Sequence, residues 1–455
     1  MTEQAVLQQL ISRARQSQKE IEKCVQEEVD QFVRAIGKAV YDNAERLAKE
    51  AVEETGMGVY EDKVAKNKGK SKMIWLSLKN KKSVGIIKEE RAKGLIYVAK
   101  PKGVIAAITP TTNPVVTPMC NAMFALKGRN SIIVAPHPRA KKCSAHTVAL
   151  MNDALNKLGA PKNLIQIIEE PTMELTQGLM GEADVVVATG GMGLVKAAYA
   201  SGKPAYGVGA GNVQVIVDRE YDYDQAAKDI IAGRKFDNGI ICSGEQCVIT
   251  PAEDHEAIMQ AFAKHGGHYI NDPDKIERFR QVMFPEGKIN TKLVGQSVQH
   301  IAKEAGVEVP ETAKIVILQA TGKGDKDVLC KEKMFPYMVT LSYNTFEEAI
   351  DIARTNLLYE GAGHTTAIHS QNTEHIKQAG NLLPISRLVV NQPSSTGAGG
   401  SIYNGFNPTT TLGCGSWGNN SISENLSYEH LINVTRIGFF NRDAKLPSEE
   451  AIWNA

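Results

Sequence analysis

Apolar positions along the chain follow two rhythms. Near the N-terminus they recur at helical spacing: Val6, Leu7, Leu10, Ile11 and Ala14 form one stripe, and Phe32, Val33, Ile36 and Val40 another. This predicts two helices over residues 3–55, stopped by Gly56-Met57-Gly58. No Gly/Pro linker follows the first stripe, so it reads as a packing face rather than a targeting helix. The lysine-rich piece from Lys63 to Lys72 reads as a solvated surface, with phosphate binding as its alternative.

From Val84 the rhythm changes. VGIIKE and GLIYVAK predict a hairpin. Short apolar runs then alternate with helical stretches. GVIAAIT, SIIVA, LIQII and ADVVVAT are predicted strands, and Pro114–Arg129, Ala140–Leu158, Glu174–Met180 and Met192–Ser201 are predicted helices. Strands near PAYGV and VQVIV close this set. The order predicts an α/β fold with a parallel sheet covered on both faces, whose ligands bind outside the strand C-termini. A second α/β region begins after Asp218, with a helix from Asp222 to Arg234. From Asn391 to Asn420 the composition turns to Gly, Ser, Thr and Asn. So long a loop inside a compact region points to function. A strand near Val434 follows.

Composition narrows the function classes. The chain has 455 residues, 42% apolar and 23% charged, with net charge +1. That balance argues against nucleic acid or an anionic membrane as partner. No apolar run reaches the length of a membrane span. Seven cysteines, an odd and scattered set, argue for a reducing cytoplasm rather than a disulfide framework. Cys242 and Cys247 have no histidine close by in sequence, which argues against a zinc site there.

Cys242 is the candidate nucleophile. It follows the turn signal Asp237-Asn238-Gly239, and the extended segment GEQCVIT follows it. A thiol at such a loop tip can meet substrate, whereas most free cysteines only pack.

Four stretches in order then carry a resemblance: GVIAAITPTTNPVVTP (103–118), IIVAPHPRAKK (132–142), ATGGMGLVKAA followed by YGVGAGNVQVIV, and the Cys242 loop. Over about Gln18 to Asp443 the chain resembles the aldehyde dehydrogenase superfamily, in its CoA-acylating branch. The resemblance implies a Rossmann-like nucleotide-binding domain (1–83 and 101–221) and an α/β catalytic domain (222–420). It also implies a small β oligomerisation element (84–100 and 421–455), giving a homodimer or a dimer of dimers.

In this reading the Cys242 thiolate attacks an aldehyde carbonyl, and the Asn113 amide with the loop N–H holds the oxyanion. Hydride transfer to the nicotinamide leaves a thioester on Cys242. Hydrolytic members carry a glutamate where this chain has Gly207 of Gly207-Val208-Gly209-Ala210-Gly211-Asn212. No base is available there for water, and a glycine gap would admit a long acyl acceptor. Coenzyme A is therefore the expected co-substrate, with His364 to help deprotonate its thiol. A hydrogen-bonded structural role for His364 stands beside that one.

The cofactor would meet Thr109, Pro110, Thr189, Gly190, Gly191, Gly207 and Val208, and Glu332 would hold the nicotinamide ribose. His137, Arg139, Lys141 and Lys142 favour NADP slightly over NAD. Within the branch the likeness is greatest to members acting on succinate semialdehyde and succinyl-CoA. Ser243, Ser394, Ser395 and Thr396 would hydrogen-bond the distal carboxylate. Gly244 stands where a second serine is expected, and sulfoacetaldehyde and acetaldehyde remain competing substrates. The chain stops too soon for the iron-dependent alcohol dehydrogenase fused to related bifunctional enzymes. Two other classes stay open: an acyl-phosphate reductase and a catalytically silent scaffold.

Overall fold

The computed structural model describes residues 2–454. Three helices, not two, occupy residues 3–55: α1 Glu3–Ile21, α2 Gln26–Asp42 and α3 Ala44–Thr55. The apolar stripes had run together across the break at Asn43. Gly56, at φ 68°, ends α3 in the left-handed conformation that glycine adopts without penalty. Leu7, Ile11 and Ala14 of α1 are buried, as expected of a packing face.

The lysine-rich piece is a fourth helix, α4 Tyr60–Leu78. It is not simply a solvated surface. Lys63, Asn67, Ser71, Ile74 and Leu78 form a buried face, so every third or fourth residue turns inward.

Among the described residues, fifteen strands form three sheets. The hairpin β1 Gly85–Glu90 and β2 Leu95–Pro101 is joined by β15 Ile432–Gly438, antiparallel to β2, in the order β1-β2-β15. The first parallel sheet holds β3 Val104–Thr109, β4 Ser131–Pro136, β5 Ile165–Ile167, β6 Val185–Thr189 and β7 Ala205–Val208, in the order β5-β4-β3-β6-β7. The second holds β8 Val213–Val217, β9 Glu245–Pro251, β10 Gly267–Ile270, β11 Ile315–Gln319, β12 Tyr337–Tyr343, β13 Gly363–His369 and β14 Ile385–Val390, in the order β10-β11-β12-β9-β8-β13-β14.

VQVIV (β8) therefore does not close the first sheet. It pairs with β9 and β13 in the second. Helices α5 Val116–Lys127, α6 Lys141–Lys157, α7 Met173–Glu182 and α8 Met192–Ala200 belong with the first sheet, and α9 Tyr223–Lys235 with the second. Every residue of α5 is buried, which is why its apolar pattern shows no polar face.

The chain leaves the first sheet at the C-terminal end of β7 and enters the second at the N-terminal end of β8, with four residues, 209–212, between. So short a connection forces those two edges together. Each candidate residue that can be placed by sheet register lies on one of them. Thr109 is level with Pro136 at the ends of β3 and β4, and Thr189 with Val208 at the ends of β6 and β7. In the second sheet the relevant end is N-terminal: Cys242 precedes β9, Glu332 precedes β12 and His364 opens β13.

Candidate active site

The nucleophile loop is tight and held from below. Asp237, Asn238 and Gly239 all have positive φ (52°, 51° and 73°), so the chain reverses sharply before Cys242. The Gly244 N–H donates to the Ile241 carbonyl at 2.8 Å, closing a turn with Cys242 and Ser243 at its centre. Arg234, at the end of α9, is fully buried beneath it. Its guanidinium donates to the carbonyls of Gly239 (3.1 Å) and Glu245 (2.9 Å), the two ends of the loop. It also donates to the carbonyls of Lys333 (2.6 Å) and Phe335 (3.1 Å) on the segment carrying Glu332. One planar cation thus fixes two segments at once.

Around the Cys242 sulfur lie Val208, Leu412 and Cys414. Burial pushes the thiol up to about 12, and the Glu332 carboxylate adds to this. Glu332 is itself pushed up to about 8, chiefly by burial, and its Oε1 accepts from the Gly211 N–H at 2.9 Å. At neutral pH it is mostly the neutral acid, which opposes a thiolate far less. The resting Cys242 is a protonated thiol, and its proton must be removed for attack.

His364 is fully buried. Its Nδ1 pairs with Thr365 Oγ1 at 3.0 Å, and its Nε2 has no partner. Burial, and then the Arg387 guanidinium, hold its pKa well below the usual range, so the ring is neutral. Gly211 lies between it and the nucleophile: a Cβ there would stand 1.9 Å from the Cys242 carbonyl oxygen and 3.3 Å from His364 Cε1. Arg387 donates to the His364 carbonyl (2.7 Å) and to Thr365 Oγ1 (3.1 Å), bracing the same strand end.

The facing edge has the donors a dinucleotide needs. The hydroxyls of Thr109 and Thr189 are buried without a partner. Gly190 and Gly191 lead into α8, whose first N–H groups have no intrahelical acceptor. Such orphaned donors beside a glycine turn fit a pyrophosphate. Pro110 is half-buried, and His137 and Arg139 are exposed at the end of β4. Part of the basic cluster is already engaged, Arg139 donating to the Thr55 carbonyl at 3.4 Å. Lys141 pairs with Glu170, and Glu54 accepts from the N–H groups of Lys142 and Cys143.

The gap expected at Gly207 is filled on the side a side chain would take. A Cβ there would stand 2.8 Å from Val195 Cγ1 and 3.1 Å from Tyr199 Cε2, and the Gly207 N–H donates to the Tyr199 hydroxyl at 3.0 Å. The same two side chains, with Met192, Lys196, Ser416 and Ser421, line a cavity of about 450 Å³.

Ser243 donates to the Ser395 carbonyl at 3.3 Å, and the Ser394 N–H donates to Glu245 Oε1 at 2.6 Å. The hydroxyls of Ser394 and Ser395 are buried without a partner, whereas Thr396 is exposed and does not join them. Lys70 of α4 reaches the same loop, donating to the carbonyls of Gly399 (2.8 Å) and Thr409 (3.0 Å). Burial pushes this ammonium down to about 8, and a Cys242 thiolate would be among the charges raising it.

Asn113 accepts from Lys66 Nζ at 2.8 Å and donates to Thr112 Oγ1 at 3.2 Å. Sequence reasoning missed Lys66, Lys70, Gly211, Arg234 and Arg387. Only the spacing of Lys63, Lys66 and Lys70, one helical face, was a usable signal.

The chain and its fold match known proteins. The aldehyde dehydrogenase family model matches residues 1–277. The chain is 65% identical over 453 residues to the succinate-semialdehyde dehydrogenase (acetylating) of Clostridium kluyveri, covering 100% of both chains. An acetylating aldehyde dehydrogenase from Geobacillus thermoglucosidasius superposes with TM-score 0.94 at 37% identity, over 98% of each chain. A propionaldehyde dehydrogenase from Rhodopseudomonas palustris, crystallised with bound CoA and an acylated cysteine, does so with TM-score 0.84 at 30% identity, over 95% of this chain and 97% of that one. With a thiol loop, a nucleotide edge and a family match along the same chain, the protein belongs to the aldehyde dehydrogenase family.

Proposed function

We propose that this protein interconverts succinyl-CoA and succinate semialdehyde through a thioester on Cys242. The observation that carries the CoA step is a neutral His364 Nε2, buried without a partner beside the nucleophile loop, with no carboxylate at position 207. In the oxidative direction the Cys242 thiol gives up its proton to solvent as its sulfur bonds to the aldehyde carbon, and the carbonyl oxygen becomes an oxyanion. The Asn113 amide and a loop N–H stabilise that oxyanion. Bound NAD(P) would supply the hydride acceptor that turns this adduct into the Cys242 thioester. His364 Nε2 then takes the proton of the CoA thiol, whose sulfur bonds to the acyl carbon as the bond to Cys242 breaks. Glu332, Thr109, Pro110, Thr189, Gly190, Gly191 and Val208 bind the cofactor, and Gly207 backs that wall against α8.

For the acyl group, the Lys70 ammonium and the unpartnered hydroxyls of Ser394 and Ser395 suit a distal carboxylate. Among the described residues no helix is long and apolar enough to cross a membrane; all seven cysteines are free, which supports a reducing, cytoplasmic setting. The sheet β1-β2-β15 presents exposed Ile437, followed by exposed Phe439 and Phe440. It supports assembly into a dimer or dimer of dimers. The proposed domain plan keeps the hairpin and tail as a third element but moves the division from about residue 221 to residues 209–212, because β8 pairs within the second sheet. The test is acyl-CoA-dependent oxidation of NADPH and NADH with succinyl-, sulfoacetyl- and acetyl-CoA. Fast formation of free succinate from the semialdehyde with no CoA present would overturn the reading.

A further inference from the structure

Asp237 lies five residues before Cys242 and is completely buried. Its carboxylate accepts from Lys63 Nζ (3.0 Å), Lys66 Nζ (2.6 Å) and the Val59 N–H (2.9 Å). Lys66 spends a further proton on Asn113 Oδ1 at 2.8 Å. The lysine pair is not an anion site. Its charge is shared by Asp237, and the adjoining cavity, lined by Lys63, Lys66, Asn67, Thr112 and Asn113, is about 10 Å³, room for a single water.

A carboxamide has two ends of nearly equal shape, and only its hydrogen-bond partners decide which way it points. An ammonium donates and never accepts. The end of Asn113 facing Lys66 must therefore be the oxygen. Thr112 Oγ1 takes one Nδ2 proton, and the other is left for the site.

We propose that Lys66 is a positioning residue for the oxyanion amide: it fixes the orientation in which Asn113 offers N–H to the reacting carbonyl. Asp237 holds Lys66 in place and roots the nucleophile loop, so one carboxylate aligns both halves of the reacting centre. This rests on the assignment of Asn113 to the oxyanion made above.

The test is a double-mutant cycle on the full-length enzyme with Lys66→Met, Asn113→Ala and both together, scored by kcat and KM for succinyl-CoA reduction. Lys66→Met leaves Asp237 paired with Lys63 and Val59, so the fold is retained, which the thermal midpoint checks. A carboxamide free to turn offers N–H only part of the time. Lys66→Met is therefore expected to lower kcat about tenfold to a hundredfold with KM changed less than about threefold, below the loss of a whole donor. The double variant is expected to match Asn113→Ala, because the two residues act through one amide. Lys63→Met, which removes the other lysine but no bond to Asn113, is expected to change kcat by less than about threefold. Losses that multiply in the double variant, or a Lys66→Met enzyme with full kcat beside an impaired Asn113→Ala, would overturn the proposal. A fully active Asn113→Ala would overturn the oxyanion assignment and this proposal together.

Discussion

Gly211→Ala adds one methyl group at the most crowded point of the site. Its Cβ would stand 1.9 Å from the Cys242 carbonyl oxygen and 2.8 Å from the carbonyl carbon. Restoring an ordinary contact of about 3.4 Å would push that carbonyl back by about 1.5 Å. The loop cannot yield freely, because Arg234 holds both its ends. Gly211 does not sit in the left-handed region, so alanine adds no backbone strain and the effect is purely one of space. Overpacking of this kind costs about 1–3 kcal/mol, or roughly 1–3 °C in thermal midpoint for a chain of 455 residues. A displacement of about 1 Å at a reacting group costs about a hundredfold in rate. The assay is succinyl-CoA reduction followed through NADPH, with a melting curve beside it. Gly69→Ala in α4, where no atom lies within 4 Å of the new methyl, is the control expected to keep activity and stability. A Gly211→Ala enzyme with kcat within threefold of the parent would refute the steric account.

Three further outcomes are expected. Gly207→Glu is expected not to create a hydrolase, since Val195 and Tyr199 fill the space at its Cβ. Free succinate release without CoA stays at the parent level and the melting temperature falls; appearance of CoA-independent turnover would contradict this. Alkylation of resting Cys242 by iodoacetamide, with Cys242→Ala as blank, is expected to rise about tenfold per pH unit from 7 to 10 without a plateau. The reason is that burial raises the thiol to about 12 and only the thiolate reacts; a plateau below pH 9 would show a lowered pKa instead. Lys70→Met is expected to raise KM for succinyl-CoA about tenfold or more while acetyl-CoA changes little, because only the former carries a carboxylate for the lost ammonium. Equal losses on both substrates would assign Lys70 to the loop backbone alone.

Local pattern made much of this molecule legible. GVIAAIT and ADVVVAT are strands because continuous apolar runs suit a sheet covered on both faces. The hairpin and Cys242 at its loop tip were readable for similar reasons. Failures came where partners are distant in sequence. VQVIV reads equally well as the last strand of one sheet or the first of the next; only its pairing with β9 and β13 decides. The run from Lys63 to Lys72 looks solvated by charge alone, but Asp237, 171 residues beyond Lys66, makes burial of two of its ammonium groups tolerable.

The sequence by itself determined the alternation of strands and helices, the family, a cysteine placed in a turn ahead of a strand, and the absence of a carboxylate at position 207. These follow from residue identity and short-range periodicity. Tertiary structure alone decided that the C-terminal edge of one sheet meets the N-terminal edge of the next. It also decided which way the Asn113 carboxamide turns, that His364 keeps a bare nitrogen, and that Gly211 must lack a side chain. Each of these depends on atoms brought within a few ångströms by chain closure, and no local pattern encodes such a distance.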